Sequence, residues 1–222
     1  VADIFRRSDQ DDNPAHRREV SEHVDQFTTE WEGALHTIAP TGLFEVAEKL
    51  FALNLPHKAL KLTTHVIPSH ELWPSPYVLT HLHCLQEAGQ NKTFDEVIAR
   101  VKGADQSVTL LSFQSVQAER GGDIDLAIKF SETMIELAPA RPYPWYRRCY
   151  LLGRYRSLEE QQLFHERVPD SVLLNPSREV KGILFFLALA GSFKRAESQW
   201  VKWMIEDPRG HAVDLVNFHF GL

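Results

Sequence analysis

Apolar residues recur along most of this chain every three or four positions, the spacing that lines one face of an α-helix. Leu43, Val46, Ala47, Leu50 and Phe51 share such a face, and so do Ile124, Ala127, Ile128 and Ile135. Prolines at 40, 56, 68, 74, 76, 139, 142, 144, 169, 176 and 208 cut the periodic stretches into short pieces. Proline cannot donate the next helical hydrogen bond, so each marks a place where a helix starts or stops. Together these signals predict helices over 18–38, 41–53, 56–67, 76–89, 93–102, 107–120, 123–137, 143–153, 157–167, 177–190 and 193–206. The body carries no alternating β-branched runs, so the fold class expected is all-α. Residues 1–17, rich in Asp and Arg around Asn13 and Pro14, read as a mobile lead-in to a helical domain over 18–208. Residues 209–222 form an apolar C-terminal segment. Val216, Phe218, Phe220 and Leu222 alternate as in a strand, while Val213, Val216 and Phe220 also fit a helical face. Either way, this segment is expected to pack on the helices before it or to lead into a following domain.

The helices carry an internal repeat. ERGGDIDLAIKFSETMIELAP places Ala127 five residues after Gly122 and Pro139 twelve further on, and LAGSFKRAESQWVKWMIEDP repeats both spacings with Gly191, Ala196 and Pro208. Each mark has a physical reason. Glycine turns the chain out of one helix, and Asp123 or Ser192 follows as an N-cap. Alanine sits where two antiparallel helices approach most closely, and proline stops the second helix. Equivalent small or buried positions fall at Ala59, Val97, Ala127, Gln161 and Ala196, in steps of 38, 30, 34 and 35. The fourth repeat adds Trp145 and Cys149 on its first helix, and the second holds an insertion near Asn91 and Lys92. On these residues the chain, over roughly 41–208, resembles the tetratricopeptide repeat (TPR) family, whose period is 34 residues. The resemblance implies a right-handed α-solenoid of about five helical hairpins with an extra N-terminal helix.

Composition narrows the function classes. With 222 residues, 43% hydrophobic and 24% charged, the chain can bury a real core. The net charge of -6 argues against a protein that coats nucleic acid or an anionic membrane with its whole surface. The longest purely apolar run, Ile183 to Ala190, spans eight residues against the ~20 of a membrane-crossing helix. No secretory leader pattern opens the sequence, and its two cysteines, Cys84 and Cys149, form no CxxC pair, so a cytoplasmic location is expected. Opening on Val1 and closing on an apolar segment, the sequence reads as a piece of something longer.

None of the phosphate-loop, dinucleotide-binding, HExxH or GxSxG patterns is present, and helical-repeat solenoids rarely catalyse, so no enzyme and no cofactor are expected. The densest imidazole group is His65, His70, His81 and His83 with Cys84. His81 and His83 lie two apart and point about 200° away from each other on a helix, and no i, i+4 partner completes a set, so no metal is expected. Trp200 and Trp203 follow Ala196 by four and seven residues, the spacing of core packing. Asn91-Lys92-Thr93 is a chance glycosylation sequon.

RPYPWYRRCYLLGRYR, residues 141–156, stands apart with five arginines, five aromatics and no acid. In a TPR-like hairpin Trp145 and Cys149 face the partner helix. Tyr143, Tyr146, Arg147, Tyr150 and Arg154 then line the concave side, with Arg178, Lys181 and Phe185 on the matching face of the next repeat. Guanidinium groups between tyrosines suit carboxylates or phosphates, which they bind in a bidentate way while stacking on the rings. The plainer alternative is that the tyrosines pack and the arginines solubilise a helix face, pairing with Glu159 and Glu160. TPR domains that hold the acidic C-terminus of chaperones use lysines and arginines with asparagines on the inward helices. Glu45, Glu48 and Gln86 stand there instead, so that role is not implied. The function expected is a scaffold or adaptor that binds a protein or acidic peptide in a concave groove. The alternatives are a nucleic-acid-binding module using the same Arg/Tyr face, and a regulatory docking segment of a larger multidomain protein, enzymatic or not.

Overall fold

The structure, a computed structural model, describes residues 14–31, 38–67, 72 and 74–206. It falls into two compact units, Val1–Ala104 and Asp105–Leu222. Among the described residues the first unit carries α1 (Pro14–Trp31), α2 (Pro40–Ala52), α3 (Pro56–Thr64), α4 (Pro76–Glu87) and α5 (Asn91–Ile98). The second carries α6 (Val108–Arg120), α7 (Ile124–Leu137), α8 (Pro142–Tyr155), α9 (Leu158–His165), α10 (Arg178–Leu189) and α11 (Phe193–Glu206). The fold is all-α, and no described helix is long and apolar enough to cross a membrane.

Local chemistry starts and stops these helices. Proline occupies the first helical turn of α2, α3, α4 and α8, where its missing N–H costs nothing. Ser75, Ser107, Asp123, Ser157 and Ser177 cap α4, α6, α7, α9 and α10 by accepting a backbone N–H two or three residues into the helix. At Ser157 the cap is reciprocal, because the Glu160 carboxylate accepts the Ser157 N–H in return. Gly122 and Gly191 turn the chain between the two helices of their hairpins with φ of 82° and 95°. An exposed alanine at Gly122 meets no neighbour, so Gly122→Ala isolates the backbone cost of that left-handed turn. It is expected to lower stability by about 1–2 kcal/mol in urea unfolding. Gly121→Ala, whose φ is already -75°, is expected to lose nothing.

The hairpins pair as α2–α3 and α4–α5 in the first unit, and as α6–α7, α8–α9 and α10–α11 in the second. All five repeat positions read from the sequence, Ala59, Val97, Ala127, Gln161 and Ala196, fall on the second helix of a hairpin. The three alanines are fully buried, so a larger residue there would force the helices apart. Gln161 is accommodated differently: it is half-buried and its amide donates to the Arg156 carbonyl at 3.0 Å. The first unit buries Val20, Leu43, Ala47, Leu50, Ala59, Leu62 and Cys84 together. The second gathers Trp145, Cys149, Phe164, Ile183, Leu187, Trp200 and Trp203 into one core. Trp145 donates its indole N–H to the Pro139 carbonyl at 2.8 Å, and Trp203 to that of Leu174 at 3.0 Å.

Several helix ends differ from the periodicity. α1 begins at Pro14, four residues before the expected start. α5 ends at Ile98 rather than 102, because the chain leaves the helix to pair with a distant residue. The Leu72 N–H donates to the Arg100 carbonyl at 3.1 Å, and the Lys102 N–H to the Leu72 carbonyl at 2.9 Å, making a single parallel bridge of Leu72 with Val101. A 3-10 turn at Asp170–Leu173 buries Val172 and Leu173 between α9 and α10. Residues 1–13 of the expected lead-in and all of the segment 209–222 lie outside the described residues.

Candidate protein-interaction face

α8 builds the face. Pro142 and Pro144 pre-set its first turn, and the tyrosines at 143, 146 and 150 then recur on one side at steps of three and four. Their rings form a run: Tyr143 to Tyr146 at 6.5 Å between centroids, and Tyr146 to Tyr150 at 6.4 Å. α10 extends it. Phe186 stands edge-on to Tyr150 at 6.1 Å and lies 6.5 Å from Tyr146, and Phe185 follows at 5.6 Å from Phe186. These separations are those of favourable aromatic pairs.

Two glycines make the approach of α8 and α10 possible. A Cβ on Gly153 of α8 would lie 2.7 Å from the Phe186 ring, and one on Gly182 of α10 would drive into the Tyr146 ring. Each helix therefore leaves a gap for the other's aromatic side chain. Helix-interior glycine costs about 1 kcal/mol relative to alanine, and here the space it opens is filled.

The cations of the basic segment have separate fates. Arg147 is 6% exposed; its Nε donates to the Ser115 hydroxyl at 3.0 Å and its Nη1 pairs with Glu119 at 2.8 Å, both on α6. The other Glu119 oxygen accepts the Tyr155 hydroxyl at 2.9 Å, which raises the Tyr155 phenol above its usual range. Arg148 turns to the other side of α8, donates to Glu132 at 2.8 Å and to the Ile128 carbonyl at 3.1 Å, and lies over Phe164. Arg156 pairs with Asp125 and sits 3.9 Å from Glu160. The acids that serve this segment are thus chiefly Glu119, Glu132 and Asp125 from the preceding hairpin. Of the pair Glu159 and Glu160, Glu160 takes part.

Arg154 remains at the surface. Its guanidinium donates to the Tyr150 hydroxyl at 2.6 Å and lies over both Tyr150 and Tyr155, 5.9 and 5.5 Å from their centroids. Arg178 is also exposed, at the start of α10. Lys181 points elsewhere, with its ammonium 5.9 Å from the Trp200 ring of α11. Tyr143 is half-buried, and burial raises its phenol above the usual range against the opposing influence of Ser112 and Arg147. Of the eight residues singled out from the sequence, the structure brings Tyr143, Tyr146, Arg147, Tyr150, Arg154 and, through Phe186, Phe185 together.

Among solved structures the chain is similar to the crystal structure of a thermophilic TPR protein from Thermus thermophilus. The two share 14% sequence identity and superpose with a TM-score of 0.58, over 82% of this chain and 100% of that one. The fold is TPR-like. No family model matches the chain, and no curated protein does. In the TPR-like register, α6, α8 and α10 are the first helices of three successive hairpins, and the aromatic run with its Glu119 and Ser115 contacts joins them. Glu119, Ser115, Gly153, Gly182 and Phe186 were not singled out from the sequence. The two glycines did leave a signal there, since glycine inside a strongly periodic helix marks a close approach. Of the imidazoles, His81 is buried and shares a 2.8 Å hydrogen bond with Thr63, and His65 is exposed. Among the described residues no three His, Cys, Asp or Glu side chains stand close enough to hold a metal ion.

Proposed function

We propose that the chain is a protein-interaction module that takes a peptide, or an extended segment of a partner, along α8 and α10. The observation that carries this reading is Arg154, an exposed guanidinium oriented by the Tyr150 hydroxyl beside an unbroken aromatic run. A pre-oriented arginine next to rings is suited to a carboxylate neighboured by an apolar side chain. Tyr150, Arg154, Arg178 and Phe185 would meet the partner. Tyr143, Tyr146 and Arg147 form the floor that holds them. Arg147, Arg148 and Arg156 already face carboxylates, which leaves less positive charge for a polyanion and favours peptide over nucleic acid.

Selection from a displayed random-peptide library tests this. Peptides carrying Asp or Glu beside an aromatic or aliphatic residue are expected to be enriched. Arg154→Glu should weaken them about tenfold or more without moving the unfolding midpoint, because Arg154 is exposed. Absence of such a consensus, or undiminished binding by the variant, would overturn the reading. Binding to an oligonucleotide that falls steeply with salt would replace it with the nucleic-acid alternative.

A further inference from the structure

A cleft of about 180 Å³ lies between α11 and the 3-10 turn at Asp170–Leu173, lined by Asp170, Leu173, Arg195, Ser198, Gln199 and Lys202. That is room for on the order of ten waters. The four α11 residues fall at i, i+3, i+4 and i+7, so they form one polar stripe, while Ala196, Trp200 and Trp203 of the same helix are buried. The walls of the cleft are tied together. Arg195 donates from Nη1 to the His165 carbonyl at 2.9 Å, and from Nη2 to the Val168 carbonyl at 2.6 Å and the Asp170 carboxylate at 2.7 Å. The bond from the Trp203 indole to the Leu174 carbonyl holds α11 to the chain just past the turn. Three of the five N–H donors of Arg195 are thereby used, leaving the Nε–H and one on Nη1. Ser198, Gln199 and the Lys202 ammonium take no hydrogen bond or ion pair among the described residues. Asp170 is exposed and accepts Arg195 with one oxygen only.

We propose that this cleft binds a small acidic amino acid, a free molecule with two carboxylates and one ammonium. The argument is one of charge and donor type. Arg195 and Lys202 are two cations with donors to spare, and guanidinium and ammonium groups both take carboxylates. A bare anion would also meet Asp170. The bond from Arg195, and more weakly the charge of Lys202, hold the Asp170 carboxyl below its ordinary value, so it is ionised at neutral pH. A phosphate or a simple dicarboxylate would therefore be repelled at that wall. An ammonium carried between two carboxylates removes the conflict, because it donates to the second Asp170 oxygen while the carboxylates face Arg195 and Lys202. Arg195 and Lys202 against Asp170 leave one positive charge over, which the single net negative charge of such a ligand neutralises. Ser198 and Gln199 supply neutral donors and acceptors along the stripe. Because Arg195 is already fixed by three acceptors, little ordering is required of it on binding.

Titration of the full chain by two-dimensional NMR tests this with matched probes. L-aspartate is expected to shift the backbone amides of residues 170–173 and 195–202 saturably, with a Kd of about 1 mM or tighter. Succinate lacks only the ammonium and L-alanine only the second carboxylate, and each is expected to bind about tenfold more weakly. Asp170→Asn should erase the preference for L-aspartate over succinate. Lys202→Met should weaken L-aspartate about tenfold, and its urea midpoint should not move, because Lys202 is exposed. Absence of a saturable shift, or undiminished binding by Lys202→Met, would overturn the proposal. So would succinate or inorganic phosphate binding as tightly as L-aspartate at equal ionic strength, which would mark a plain anion patch. Arg154→Glu should leave these shifts unchanged, so the cleft can fail while the peptide-binding face stands, and the reverse.

Discussion

Glu119→Ala is expected to destabilise the second unit by about 3–5 kcal/mol. Glu119 stands opposite the buried Arg147 guanidinium at 2.8 Å and accepts the Tyr155 hydroxyl with its other oxygen. Truncation leaves a positive charge out of water with the Ser115 hydroxyl as its remaining neutral acceptor, and the Arg147 Nη2 is already without one in the structure. The cost is therefore that of an uncompensated buried charge rather than of one lost surface pair. The companion experiment is the double replacement Arg147→Met/Glu119→Met, which removes both charges and keeps the volume. It is expected to recover most of the loss, since apolar residues of similar size commonly equal or exceed a buried pair in stability. Urea unfolding of the two single variants and the double gives the coupling energy. A Glu119→Ala loss within about 1 kcal/mol of wild type would mean that water reaches Arg147 and that the pair behaves as a surface one.

This pair also explains what could be read from the sequence and what could not. The hairpins were legible because their determinants are local: prolines in first turns, Ser and Asp caps, left-handed glycines at 122 and 191, and small residues at one register position. Eleven helices were expected and eleven are found among the described residues. One misplaced boundary is set by a distant residue, where Leu72 draws residues 100–102 out of the expected helix. The candidate face shows the same division. Periodicity put the tyrosines of α8 on one side. It could not foresee that Arg147 would be met by Glu119, 28 positions earlier, or that Arg148 would be drawn round to Glu132. Lys181 was assigned to the aromatic face by register alone, and Trp200 on the partner helix takes it aside. Charge in a sequence gives the inventory of cations, and packing decides which of them remain for a partner.

Stability is expected to fall as pH drops from about 6.5 toward 4, because of His81 and His165. Burial, with the nearby charge of Arg100, pushes the His81 imidazole down to about 4; burial, with Arg195, does the same for His165. Both are neutral in the folded chain at pH 5, whereas the unfolded chain takes up protons there with an ordinary value near 6.5. The unfolded state binds more protons throughout that window, so the slope of stability with pH is positive and acid destabilises. By pH 4 the two groups together are worth a few kcal/mol, since each loses at most about 1.4 kcal/mol for every pH unit between its unfolded and folded values. Asp25 and Asp170, held below the ordinary 3.8 by Lys58 and Arg195, contribute their own losses only at still lower pH. His165 separates the histidine effect from general acid unfolding. Neither of its ring nitrogens has a hydrogen-bond partner in the structure, although the side chain is buried. His165→Leu should therefore hold or raise stability by about 1 kcal/mol at pH 7.5, by removing two unsatisfied polar atoms. It should also flatten the decline of the urea midpoint between pH 6.5 and 4.5, since one of the imidazoles that burial holds low is gone, while His81 and His83 remain. Parallel declines in wild type and variant would show that His165 is hydrated or protonated in the folded chain, and would shift the acid sensitivity to His81 and its bond with Thr63.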